Sequence, residues 1–205
     1  MKTSYCILLI FLISLTSSAF SQTAVEYLMQ GLTKFNDQNY SGAISDFDLA
    51  LEVSNTEQKG IIYENRGLAK FYLKDFSGAI SDYTKSLEIY PKKVVSYFGR
   101  GQAKYSLGDN IGAVSDFTEA LEIEPKHAKA YCNRGWAKGK LHDLRGAIAD
   151  AAKAIESDPN YAWAYLLSGS AKIQLGLKES GCHDLSKAGE LGISEAYDDI
   201  KKYCQ

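Results

Sequence analysis

YFGRGQAKYSLGDNIGAVSDFTEALEIEP, residues 97–125, returns 34 residues later as YCNRGWAKGKLHDLRGAIADAAKAIESDP, residues 131–159. Tyr97, Gly101, Ala113, Asp116, Ala120 and Pro125 of the first stretch stand where Tyr131, Gly135, Ala147, Asp150, Ala154 and Pro159 stand in the second. The glycine carries the pattern outward in both directions, through Gly31, Gly67, Gly101, Gly135 and Gly169, at intervals of 36, 34, 34 and 34 residues. A fixed period near 34 marks an array of helical hairpins. The chain therefore reads as a stack of similar elements, and a stack works as a binding scaffold before it works as a catalyst.

With the glycine set at position 8, the repeats span 24–57, 60–93, 94–127, 128–161 and 162–195. Position 4 is tyrosine throughout, as Tyr27, Tyr63, Tyr97, Tyr131 and Tyr165, and position 20 is small, as Ala43, Ala79, Ala113, Ala147 and Gly181. Position 24 is bulky in four repeats (Phe47, Tyr83, Phe117, Leu185) and Ala151 in the fourth. Positions 4, 8 and 11 share one face of a first helix, and 20, 24, 27 and 28 share one face of a second. Glycine and alanine remove side chain where two backbones approach, and the aromatic residues fill the space beside that contact. Asp75 and Asp109 suit helix entry, while Gly108 and Gly176 suit the residue just past a helix end. Pro91, Pro125 and Pro159 stop the second helix before the next repeat. Each hairpin is too small to bury its own apolar face, and stacking supplies the partner.

The register of Tyr63, Gly67 and Ala79, of Tyr97, Gly101 and Ala113, and of Tyr131, Gly135 and Ala147 resembles the tetratricopeptide repeat, over residues 24 to about 195. The resemblance implies an all-α fold, a right-handed α-solenoid of five helix-turn-helix repeats, closed by a capping helix over about 194–204. One departure stands out. Position 11, often aromatic in that family, is lysine in every repeat (Lys34, Lys70, Lys104, Lys138, Lys172), and position 23 is always aspartate (Asp46, Asp82, Asp116, Asp150, Asp184). Across a hairpin these lie at similar height, which predicts a repeated structural ion pair. Taken as mostly surface pairs, each stabilises by about 0–1 kcal/mol.

Residues 1–21 read as a secretory signal peptide: Lys2, an apolar run from Tyr5 to Leu15, then small residues up to Ser21. The run is about half the length of a membrane span. The expected location is exported: periplasmic, envelope-associated or secreted. Loss of the leader takes Lys2 and Cys6 with it and leaves 22 basic against 25 acidic side chains over a domain spanning 22–205. Such a balance gives no electrostatic footprint for nucleic acid. Of the remaining cysteines, Cys182 and Cys204 sit at similar distances from a turn near Gly192 and predict a disulfide that pins the terminal helix. A buried free thiol at Cys182 is the competing reading. Cys182, His183 and Cys204 lack structural zinc spacing, so no metal is expected.

In the tetratricopeptide family the first helices line a groove. Carried onto this chain, that implies a partner-binding surface of Leu28, Leu32, Phe35, Leu68, Phe71, Tyr72, Phe98, Tyr105, Trp136 and Trp163. Apolar and aromatic side chains dominate it, as at interaction sites. The carboxylate clamp some family members use is not expected, since Leu28, Glu64 and Phe98 occupy those positions. The ligand implied is an apolar or aromatic segment laid in the groove. The alternatives are packing between helices and coverage by a second copy, a homodimer. Catalysis finds little support, because His127, His142 and His183 lie far apart in sequence. Cys132, with Lys129 nearby to lower its pKa, offers a groove thiol, yet no histidine is placed to activate it. No cofactor is expected.

Overall fold

The computed structural model of the chain describes residues 23–204, so the leader segment and its proposed cleavage lie outside the described residues. Eleven helices, and no strand, are found among them. They are α1 (residues 23–36), α2 (Tyr40–Val53), α3 (Thr56–Tyr72), α4 (Phe76–Ile89), α5 (Val94–Ser106) and α6 (Asn110–Ile123). After them come α7 (Ala128–Lys140), α8 (Leu144–Ser157), α9 (Ala162–Gln174), α10 (Lys178–Glu190) and α11 (Glu195–Tyr203). The first ten form five successive hairpins. Packing divides the chain into two compact bodies, one up to Gly99 and one from Arg100 onward, with the division inside α5.

Local chemistry explains the sharp hairpin turns. At position 15 the backbone is left-handed in every repeat, with φ of 60° at Gln38, 63° at Lys74, 83° at Gly108, 62° at His142 and 80° at Gly176. Glycine meets this freely, whereas the three side-chain-bearing residues pay a strain on the order of 1 kcal/mol each. The next residue caps the second helix. Asn39, Asp75, Asp109 and Asp143 accept the backbone N–H of Gly42, Gly78, Gly112 and Gly146 at 2.9–3.0 Å. A Cβ at Gly78, Gly112 or Gly146 would stand 2.0–2.1 Å from the capping carboxylate, which accounts for glycine there. The fifth hairpin has Leu177 at this place and no side-chain cap.

Inside the hairpins the position-8 glycine receives the bulky residue of the second helix. An added Cβ would lie 2.5 Å from Phe47 at Gly31 and 2.8 Å from Phe117 at Gly101. The fourth repeat, with Ala151, solves the same packing problem differently: Leu167 of α9 reaches in, 2.5 Å from where a Cβ on Gly135 would be. Small residues at position 27 (Ala50, Ser86, Ala120, Ala154, Ala188) are fully buried and let the helices close up.

The Lys–Asp pairs form in all five repeats, with Nζ–O distances of 2.6–2.8 Å. In the three inner repeats they are not surface pairs, and this corrects the sequence expectation there. The Asp82, Asp116 and Asp150 side chains are only 1–5% exposed. Burial is possible because an arginine at position 7 adds a bidentate contact. Arg66 donates to Asp82 at 2.8 and 2.6 Å, Arg100 to Asp116 at 2.9 and 2.7 Å, and Arg134 to Asp150 at 3.0 and 2.7 Å. Arg66 also reaches Asp48 of α2, and Arg134 donates to Thr118 Oγ1 of α6 at 3.1 Å, so each ties its own hairpin to the preceding one. A forked guanidinium can satisfy a buried carboxylate where a lysine alone leaves lone pairs unmet.

The last hairpin is followed by a turn at Gly192 (φ 101°) and by α11. Cys182 of α10 and Cys204 are joined by a disulfide, with their Cα atoms 5.8 Å apart, and Ala196 and Ile193 bury against Leu185 and Ala188. The short capping helix, which could not stand alone at nine residues, is thereby held to the body.

Candidate partner-binding faces

The first helices of each body present side chains in layers. In the N-terminal body the outermost layer is position 2, where Val25, Ile61 and Val95 are 47%, 42% and 53% exposed. Below it, Leu28, Leu32 and Phe35 are half-buried and pack on the cluster of Phe47, Ala50 and Ile62. Leu68, Phe71 and Phe98 are also half-buried. Tyr72 is exposed and belongs to an aromatic group at the turn end of the hairpins, stacked on Tyr40 with centroids 5.0 Å apart and edge-on to Phe35 at 5.6 Å. The expected surface is thus split: part of it is core wall, part free face.

Glu64 is a charged exception on this face. Its carboxylate accepts Ser96 Oγ at 3.0 Å and lies 3.7 Å from Lys93 Nζ, and Ser96 in turn pairs with Ser86 at 2.9 Å. Burial pushes the Glu64 carboxyl up, with Lys93 and Ser96 opposing. Nearby, Ile61, Ile89, Tyr90, Pro91 and Lys93 enclose an open hollow of about 530 Å3.

In the C-terminal body the face centres on Trp136. Half-buried, it packs against both apolar clusters of this body. Trp136 also borders two hollows. One, about 410 Å3, lies toward His142, Leu144, Leu167 and Lys140; the other, about 710 Å3, lies toward Leu166, Ile173 and α11. Trp163 is 43% exposed at position 2, Lys129 fills that place one repeat earlier, and Tyr105 is half-buried with its phenol pushed up by burial. Cys132 departs from expectation. It is buried, and desolvation drives its thiol up to about 12, so Lys129 does not activate it and it presents no groove nucleophile. Among the described residues, no three His, Cys, Asp or Glu side chains are grouped to hold a metal, and no helix is long and apolar enough to cross a membrane.

Two features escaped the sequence reading. The arginines at position 7 were visible in register as Arg66, Arg100 and Arg134, but Gln30 and Ser168 break the series at its ends. The α11 side chains that wall the larger hollow carried no signal at all, because only the fold brings a tail helix against α9.

The family model of the tetratricopeptide repeat matches residues 61–93, 94–127 and 128–161. No curated protein matches the chain in sequence. Among solved structures, MamA from Desulfovibrio magneticus RS-1, residues 41 to the end, superposes with a TM-score of 0.77 at 17% identity, covering 82% of this chain and 94% of that one. YrrB, described as a TPR protein with an unusual peptide-binding site, gives 0.74 at 18% identity, covering 91% and 97%. The first TPR of Spaghetti (RPAP3), bound to an HSP90 peptide, gives 0.57 at 28% identity, covering 58% and 95%.

Proposed function

Since this chain belongs to the tetratricopeptide-repeat family, whose members mediate protein–protein interactions, we propose that it is a non-enzymatic scaffold whose first-helix faces receive an apolar or aromatic-bearing segment of a partner protein. The observation that carries the reading is Trp136, a large anchor side chain set between two open hollows in a face that otherwise meets water. Aromatic anchors beside pockets dominate binding energies at interfaces. Peptide binding by YrrB and by the Spaghetti domain supports the same mode. Export to the periplasm, the envelope or the exterior is proposed with it, supported by the Cys182–Cys204 disulfide, which persists in oxidising compartments.

The test is affinity capture from the source cells with the purified protein as bait, alongside Trp136→Ala and Trp163→Glu variants. Partners retained by the wild type and lost with either variant are expected. Equal recovery by all three baits sinks the reading. A second reading, self-association as a structural part of an envelope assembly, is favoured by the exposed Val25 and Met29 on α1, the latter 57% exposed. Sedimentation would then show a concentration-dependent dimer that Met29→Glu dissolves. Leu28 is unsuited to that test, because it packs on the core and a charge there would disturb the fold.

A further inference from the structure

The larger hollow beside Trp136 has a chemistry of its own. Its floor is apolar, made by Trp136, Leu166 and Ile173, and its far wall is α11, which contributes Tyr203 and the carboxylates of Glu195, Asp198 and Asp199. Among the described residues, no lysine, arginine or histidine lines it. Deeper in this body the buried Asp116 and Asp150 each hold an arginine and a lysine. On α11, Glu195 and Asp198 are exposed to solvent and Asp199 is half-buried. Among the described residues the Asp198 side chain has no hydrogen bond or ion pair, Glu195 accepts Ser194 Oγ at 3.2 Å, and Asp199 meets Ser170 Oγ at 3.5 Å, the limit of a hydrogen bond, and attracts Lys202. Lys201 and Lys202 follow Asp198 on α11 itself, about one turn on. Lys202 Nζ stands 4.8 Å from the centroid of the Tyr203 ring, a cation already drawn to this rim.

An apolar floor beneath a wall of three carboxylates, with no basic side chain in the lining, is the complement of one kind of side chain, a long hydrocarbon stem ending in a cation. We infer that this hollow takes a lysine or arginine side chain of the partner segment. The stem lies along Trp136 and Ile173, and the charged head meets Asp198 and Asp199 at the rim. The inference rests on the reading of this face as partner-binding and adds the identity of the anchoring residue. It also gives α11 and its disulfide a role beyond capping, since four of the lining side chains belong to that helix.

The experiment is selection of a random-sequence displayed peptide library on the purified protein, followed by binding measurements on the recovered peptides. Recovered peptides are expected to carry a lysine or arginine whose replacement by glutamine weakens binding roughly tenfold. Asp198→Lys should cause a similar loss and make the glutamine replacement neutral. Asp198 is exposed, and an unchanged thermal midpoint establishes that the variant is folded. Peptides that depend on Trp136 but bind equally well with glutamine overturn the inference and leave the proposed function standing. Recovery of no peptide, or only of peptides indifferent to Trp136→Ala, overturns both.

Discussion

Asp116 and Asp46 hold the same place in their repeats, and one guanidinium separates their surroundings. Asp116 receives Arg100 through two hydrogen bonds and Lys104 through a third contact, and its side chain is 3% exposed. Among the described residues Asp46 has Lys34 alone: Nζ lies 2.8 Å from both oxygens, yet Oδ2 accepts no hydrogen bond. Proximity without alignment supplies attraction and leaves a lone pair unmet. At the other end Asp184 is served by Lys172 and by the Ser168 hydroxyl, both at 2.6 Å, and is 13% exposed. The three carboxylates that hold an arginine are 1–5% exposed, against 8% and 13% for the two that lack one. The inner repeats can afford a dry ion pair because arginine satisfies it; the outer repeats keep theirs wetter.

Removing the inner arginine should have a large effect. Arg134→Met is expected to destabilise by roughly 2–4 kcal/mol in urea unfolding, since it strands a buried carboxylate with one lysine. If it costs no more than Lys34→Met, for which about 0–1 kcal/mol is expected, the distinction between inner and outer repeats fails. The last repeat leans on a covalent tie instead. Cys182→Ser with Cys204→Ser should cost about 3–4 kcal/mol, as chain entropy gives for a loop of this length, 22 residues. Limited proteolysis should then cut first near α11; cleavage elsewhere would mean that the helix docks without the bridge. The comparison can also be run in reverse. Gln30 is exposed at the position the inner arginines hold, so Gln30→Arg should satisfy Asp46 Oδ2 and stabilise the protein by about 1 kcal/mol. A neutral result would show that α1 does not offer the inner geometry.

The smallest effect concerns Glu64, a carboxylate with serine and lysine but no arginine. Burial raises its pKa above the ordinary 4.5, so the folded protein holds this proton more tightly than the unfolded chain does. Its contribution is complete below that ordinary value and is lost as pH rises through the raised one. Glu64→Gln should flatten the stability profile across that window and cost nothing at neutral pH. A variant that instead loses stability above the window would show that the ion pair with Lys93 outweighs desolvation.

Much of this architecture was legible in the chain. The recurrence of Tyr97, Gly101, Ala113 and Asp116 specifies helical hairpins in register, because only close helix contacts demand small residues at fixed spacing. The lysine and aspartate columns were legible as pairs, though not their depth. Depth depends on a third side chain from the facing helix, and the arginine column is incomplete. The candidate face was partly legible. Trp136 is half-buried and Trp163 is exposed, whereas Cys132 and Leu166, both at position 5, are buried where α7 and α9 pack.

What the sequence determined by itself was periodic: fold class, helix ends, hairpin turns and the charge columns, all set by interactions within a few dozen residues. Tertiary structure alone decided which columns became dry, where Leu167 replaced a missing aromatic residue at Ala151, and which side chains enclosed the hollows. Those outcomes depend on side chains brought together from different helices, and a linear pattern carries no record of the distance between them.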